Sequence, residues 1–237
     1  MNDIAQNTLD RLNGGLIASC QPVDNGALDT PEIICALARA CIDGGANGVR
    51  IQGAKNVAFA RPYIKVPIIG IIKRDLENSP IRITPFIKDI EDLANAGADI
   101  IAIDGTKRKR PVEIKELFLK IKELKKIAMA DCSNIDDGLF CRDLGFDIIG
   151  TTMSGYTGEI TPKEPDLALV SNLARNKCWV MAEGRYNNPA LAKSAFEEGA
   201  NAITIGSALT RLELMTSWFV KAIKSAETKT KQSQRPN

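Results

Sequence analysis

"EEGANAITIGSA" (Glu197 to Ala208) is one of four versions of a single phrase. The others are "DGGANGVRIQG" from Asp43, "NAGADIIAIDG" from Asn95 and "DLGFDIIGTTMSG" from Asp143. In each, a glycine (Gly45, Gly97, Gly145, Gly199) precedes a small or aromatic residue, then Asn or Asp, then a short apolar run. Glycine just past a last helical turn adopts the left-handed conformation that closes a helix. The β-branched run after it suits a buried strand. The phrase therefore reads as a helix end that hands the chain to a strand.

Between the phrases lie further apolar runs: "GLIAS" from Gly15, "PIIGII" from Pro67, "IAMAD" from Ile127 and "CWVMAE" from Cys178. Together they predict eight strands, starting near residues 15, 48, 67, 99, 127, 147, 178 and 202. Thr30-Pro31, Thr84-Pro85 and Asn188-Pro189 each place a capping side chain before a proline suited to the first helical position. Strands alternating with helices imply a parallel sheet. Eight such units in 237 residues match a single-domain (β/α)8 TIM barrel, for which about 250 residues is typical. A doubly wound open sheet fits less well, because the spacing is even and no Gly-rich dinucleotide fingerprint appears. The barrel is placed over residues 1–225, its first dozen residues forming a short helix that plugs the bottom. The segment from Ala226, "AETKTKQSQRPN", is expected to fray.

Composition removes several function classes. The net charge of +2 is far below the basic excess of a nucleic-acid binder. No apolar run approaches the roughly twenty residues of a membrane span, and the N-terminus lacks a signal-peptide pattern. A cytoplasmic location is expected. The six cysteines lack a CxxC pair and read as reduced, small apolar residues. There is no histidine, so the commonest general base and the commonest metal ligand are both missing. Neither a metal nor any other cofactor is expected, and acid–base work falls to Lys, Asp, Glu, Tyr or Cys.

In a barrel of this type the active site lies where the strands end. The odd strands end "ASCQ", "GIIK", "AMAD" and "VMAE", that is, on Gln21, Lys73, Asp131 and Glu183. Polar residues end strands for trivial reasons, but clustered ionisable groups are costly unless paired or used. The four are candidates for one ring at the mouth. Arg50, at the end of strand 2, either joins them or pairs with Asp131 or Glu183.

Strand 7 is followed by Gly184-Arg185 and strand 8 by Gly206-Ser207, which opens a helix. Their backbone N–H groups would form a phosphate seat of the kind common in phosphate-binding barrels, with Arg211 adding charge. Otherwise these glycines serve only to turn the chain. "DGTKRKRP" (Asp104 to Pro111) is either a solvated basic face or a rim that attracts an anionic substrate. "TTMSGYTG" after strand 6, with Gly155 and Tyr156, suits a loop that wraps a ligand.

Taken together, "SCQ", "GVRIQG", "PIIGIIKRD", "TKRKRP", "AMADCS", "TTMSGYT", "AEGR" and "IGSALTR" resemble the bacterial N-acetylmannosamine-6-phosphate 2-epimerases of sialic acid breakdown. The matching pieces extend from Ser19 to Arg211. The resemblance implies cofactor-free interconversion of N-acetylmannosamine 6-phosphate and N-acetylglucosamine 6-phosphate. It makes Lys73 the catalytic acid–base and Glu183 its partner, and puts Gln21, Arg50 and Asp131 at substrate-contacting positions. Gly105 stands where an alanine is usual, and Leu212 where a proline is frequent.

Inverting a carbon beside an aldehyde requires removing its proton and returning one to the other face. A lysine serves as base only if burial or nearby cations lower its pKa. A Schiff-base aldolase is the rival enzyme, since a barrel-mouth lysine also attacks carbonyls. A non-catalytic sugar-phosphate sensor is the third class. A small-molecule sugar phosphate is the expected partner; the sequence carries no direct signal for oligomeric state, and a homodimer is compatible with it.

Overall fold

A computed structural model describes residues 3–158 and 160–233, and among them eight parallel strands close into a barrel in sequence order. The strands are β1 (Leu16–Cys20), β2 (Gly48–Gln52), β3 (Ile68–Ile71), β4 (Ile100–Asp104), β5 (Ile127–Asp131), β6 (Ile148–Gly150), β7 (Val180–Glu183) and β8 (Ala202–Ile205). Helix α1 (Asp3–Leu12) precedes the barrel. Between strands run α2 (Pro31–Asp43), α3 (Ala54–Ala60), α4 (Ile87–Asn95), α5 (Ile114–Glu123), α6 (Ile135–Leu144), α7 (Leu167–Arg175) and α8 (Pro189–Glu197). After β8 come the short α9 (Ser207–Thr210) and the long α10 (Leu212–Ser233). Every expected strand start lies within a few residues of an observed one.

The repeated phrase does two jobs at the bottom of the barrel. Its glycines take φ of +101°, +94°, +103° and +95° in chain order, just after α2, α4, α6 and α8. Two residues later an Asn or Asp binds the preceding odd strand. Asn47, Asp99, Asp147 and Asn201 each accept from the backbone N–H of Leu16, Ile68, Ala128 and Val180 respectively. Each also donates its own N–H to the carbonyl of that same residue. The Asx residue thus clips an even strand to its odd neighbour from both sides, which sets the register of a parallel pair that no hairpin turn could set.

Inside, Ile17, Ile69, Ile100, Ile127, Met129 and Met181 fill the barrel, and Ala5, Leu9 and Leu12 of α1 close it from below. The helix thus plugs the bottom of the barrel. Outward-facing Val49, Ile51, Ile101, Ile103 and Ile149 bury against the helices, each such side chain contributing about 1.5–3 kcal/mol. No helix among the described residues is long and apolar enough to cross a membrane.

Thr30 and Asn188 cap α2 and α8, accepting from Ile33 and Leu191. Thr84 does not cap α4, which starts at Ile87 after Phe86. It is buried at φ +47°, donating to the Ala102 carbonyl and accepting from the Ile72 N–H. Two barrel strands needed its hydroxyl more than the helix did. From Ala226, where the sequence is expected to fray, α10 runs on to Ser233; residues 234–237 of that expectation lie outside the described residues.

Candidate active site

The strand ends surround a cleft of about 510 Å³. Gln21, Arg50, Lys73, Glu183, Gly184, Arg185, Gly206, Ser207 and Arg211 all line it. Asp131 does not: it is fully buried beneath Arg50.

Arg50 is the hub. Its guanidinium, 1% exposed, donates to Asp131 through Nη1 (3.1 Å) and Nη2 (2.6 Å), and to Glu183 Oε2 through Nη1 (3.0 Å). Burial works against its charge, but the two carboxylates more than offset that and raise its pKa. Thr152 adds a hydroxyl within 2.6 Å of Asp131 Oδ1 and 3.0 Å of Glu183 Oε2. Burial pushes the Glu183 carboxyl up to about 7, reinforced by Asp131 and opposed by Arg50 and Lys73. Gln21 donates to Ser19 Oγ (2.7 Å), and its carbonyl accepts from Arg211 Nε (2.8 Å).

Lys73 lies two residues beyond β3, where the chain folds back on itself. Arg74 N–H bonds the Arg82 carbonyl, Thr84 N–H bonds the Ile72 carbonyl, and Lys73 bridges Ile83 in antiparallel fashion. This hairpin tucks Ile83 into the barrel interior and holds Lys73 at the cleft wall. Burial is the main cause of a pKa lowered to about 8; Arg211, Arg50 and Arg82 act in the same direction, and Asp24 opposes them. In a closed ring of eight strands, β3 and β7 are four places apart, so Lys73 and Glu183 face each other across the mouth.

On one side of the mouth Gly184 (φ +107°) and Arg185 (φ +65°) turn their backbone sharply after β7. The Arg185 guanidinium is anchored by the loop after β6. It donates to the Glu164 and Ser154 carbonyls and sits 5.2 Å from the Tyr156 ring centroid. Gly206 precedes α9, whose first N–H groups have no intrahelical acceptor. A Cβ at Gly206 would lie 3.3 Å from that of Ser19, so the glycine also keeps two strand ends together.

The basic loop is largely structural. Arg108 pairs with buried Asp104 (2.7 Å), and Arg110 donates to the carbonyls of Asp104, Thr106 and Val112. Lys107 lies over the Phe140 ring. Of these residues only Arg108 reaches the cleft. Arg50, offered by the sequence either as a member of the ring or as a partner of its acids, is both, and Thr204 and Thr152, from or just beyond even strands, join the lining. Thr152 and Thr204 sit in strings of small polar or β-branched residues, where a functional threonine looks like any other.

A family model described as "Putative N-acetylmannosamine-6-phosphate epimerase" matches residues 34–225. A relative from Haemophilus influenzae, named as a 2-epimerase of the same kind, is 60% identical over 221 residues, 93% of this chain and 97% of that one. A Pasteurella multocida relative of the same name is 58% identical over 219 residues, 92% of this chain and 96% of that one. A solved structure of the N-acetylmannosamine-6-phosphate 2-epimerase from Clostridium perfringens superposes with a TM-score of 0.88 at 37% identity, covering 90% of this chain and 95% of that one.

Proposed function

The chain belongs to the N-acetylmannosamine-6-phosphate epimerase family, and from that membership we propose that it interconverts N-acetylmannosamine 6-phosphate and N-acetylglucosamine 6-phosphate at C2. The observation that carries the reading is the pairing of Lys73 and Glu183 across one cleft, with an amine lowered to about 8 and a carboxyl raised to about 7. Two groups whose environments bring their pKa values toward neutrality make an acid–base pair.

In the proposed mechanism the neutral Lys73 amine takes the C2 proton of the open-chain sugar from one face. Protonated Glu183 returns a proton from the opposite face, and the reverse reaction exchanges the roles. Arg50 and Gln21 orient the sugar, and Asp131 fixes Arg50 rather than touching substrate. The backbone N–H groups of Gly184, Arg185, Gly206 and Ser207 hold the 6-phosphate together with Arg211.

Proton NMR in deuterated water tests the proposal. Product should carry deuterium at C2 while remaining substrate initially keeps its proton. Unchanged sugar would make the protein a sensor, and a borohydride-trapped adduct on Lys73 would make it a Schiff-base enzyme.

The reading includes a cytoplasmic setting, in keeping with free cysteines. It also includes a homodimer, supported by Leu212, Phe219 and Ile223 of α10, which are exposed at 54%, 65% and 61%. Light scattering should return twice the chain mass.

A further inference from the structure

The two threonines after β6 address the same residue in different ways. Thr151 Oγ1 accepts from the Glu183 N–H and donates to the Glu183 carbonyl, both at 2.9 Å, and so fixes its backbone. Thr152 Oγ1 addresses the carboxyl, 3.0 Å from Oε2, while standing 2.6 Å from Asp131 Oδ1. A hydroxyl has one hydrogen and two lone pairs. It donates to one of these carboxyl groups and presents a lone pair to the other. The shorter contact marks Asp131 as the acceptor. Oε2 of Glu183 then faces a lone pair, and at 3.0 Å that contact is favourable only when Oε2 itself carries a hydrogen.

Arg50 cannot make this distinction, because its Nη1 reaches both carboxyl groups at nearly equal distance, 3.1 Å and 3.0 Å. The ionisable groups facing Glu183 are Arg50 from β2, Lys73 from beyond β3 and Asp131 from β5. Asp131 has both oxygens engaged by Arg50, and Oδ1 also by Thr152. The Thr152 lone pair is the acceptor left for a Glu183 hydrogen. Gly150 keeps this contact open, since a Cβ there would lie 3.2 Å from both Asp131 Oδ1 and Thr152 Oγ1.

We propose that Thr152 is a positioning residue that keeps the proton of the carboxyl pair on Glu183, donating to Asp131 while accepting from Glu183 Oε2. The proposal rests on the reading of Glu183 as the acid across from Lys73. Thr152 touches no reacting atom; it sets the protonation state in which Glu183 meets the sugar. The burial of Glu183 acts in the same direction.

The test is a carbon-13 NMR titration of carboxyl-labelled glutamate in the substrate-free enzyme, with Glu183 assigned by its loss in Glu183→Gln. Thr152→Ser keeps the hydroxyl and should titrate as wild type, with a wild-type pH profile. Thr152→Val removes the acceptor, so Glu183 should titrate at a pH lower by about one, a tenfold loss of proton affinity equivalent to one hydrogen bond. The acidic flank of kcat/KM should move down with it. If valine does not fold, Thr152→Ala removes the same hydroxyl without added bulk and should shift the same way. An unchanged titration in the hydroxyl-free variant overturns the proposal. An upward shift overturns it too, because Thr152 would then be donating to Glu183. If the titration falls but Glu183→Gln retains full turnover, Thr152 holds the proton as proposed and the acid role of Glu183 is what fails.

Discussion

At the scale of single residues, the proposed chemistry depends on moving two pKa values in opposite directions within one cleft. Burial strips water from the Lys73 ammonium, and Arg211, Arg50 and Arg82 repel it, so the amine releases its proton near pH 8 rather than 10.5. Burial disfavours the Glu183 carboxylate, so that group holds its proton to about 7. The proposed mechanism needs Lys73 neutral and Glu183 protonated. Activity should therefore fall below about pH 7, where the singly protonated pair gains its second proton, and above about pH 8, where it loses its last. A kcat/KM profile flat from pH 6 to 9 would remove both groups from the mechanism. Lys73→Ala should lower kcat at least ~100-fold with the fold intact by circular dichroism; a variant keeping a tenth of the wild-type rate would contradict the assignment. These two residues were legible because each terminates an apolar run on a charge. Thr152 and Thr204 were not, because a threonine in "TTMSG" or in "AITIG" looks like any other strand or strand-end residue.

At the scale of elements, the sequence showed the barrel more clearly than it showed the loop that carries Lys73. A glycine, an Asx and a β-branched run are local signals, and here they repeat. The Asx clip itself was not foreseen, since its partner strand lies about 20–30 residues earlier and no local pattern announces it. The hairpin after β3 was invisible for the same reason: its pairing joins residues on either side of a loop without periodicity. Thr84-Pro85 reads as a helix start because Thr-Pro is a capping pattern, whereas the Thr84 hydroxyl ties the residue after β3 to β4. The repeat makes a graded stability prediction. A Cβ at Gly45 meets nothing within 4 Å, so Gly45→Ala incurs only the left-handed backbone penalty, about 1–2 kcal/mol. At Gly199 the same change adds a contact at 2.9 Å with the Ala174 Cβ. Urea denaturation should rank Gly199→Ala as the more destabilised of the two, with kcat unchanged in both. The reverse order would mean that α7 and α8 yield more readily than their packing suggests.

At the scale of the whole molecule, the barrel separates stability from chemistry. Its bottom is closed by α1 and by the four Asx clips, and its top carries the ionisable ring. The top is divided in turn: the proposed acid–base pair spans the ends of β3 and β7, while the proposed phosphate seat occupies the β7 and β8 side beside Arg211. A phosphate held there fixes one end of an open-chain sugar and leaves C2 to be positioned between Lys73 and Glu183. Binding energy from that remote group should therefore appear in turnover as well as affinity. Two hydrogen bonds to a charged phosphate, each about 1.5–3 kcal/mol, correspond to roughly a 100-fold or greater effect. N-acetylmannosamine without its 6-phosphate should show a kcat/KM lower by at least that factor, with kcat reduced as well as KM raised. Gly206→Val should impose much of the same loss on the phosphorylated sugar, because its side chain would enter the seat and crowd Ser19. The unphosphorylated sugar should be nearly indifferent to that change, having no phosphate to displace. Equal kcat/KM for the two sugars in the wild type would leave the seat without a ligand and assign Gly184 and Gly206 to chain turning alone.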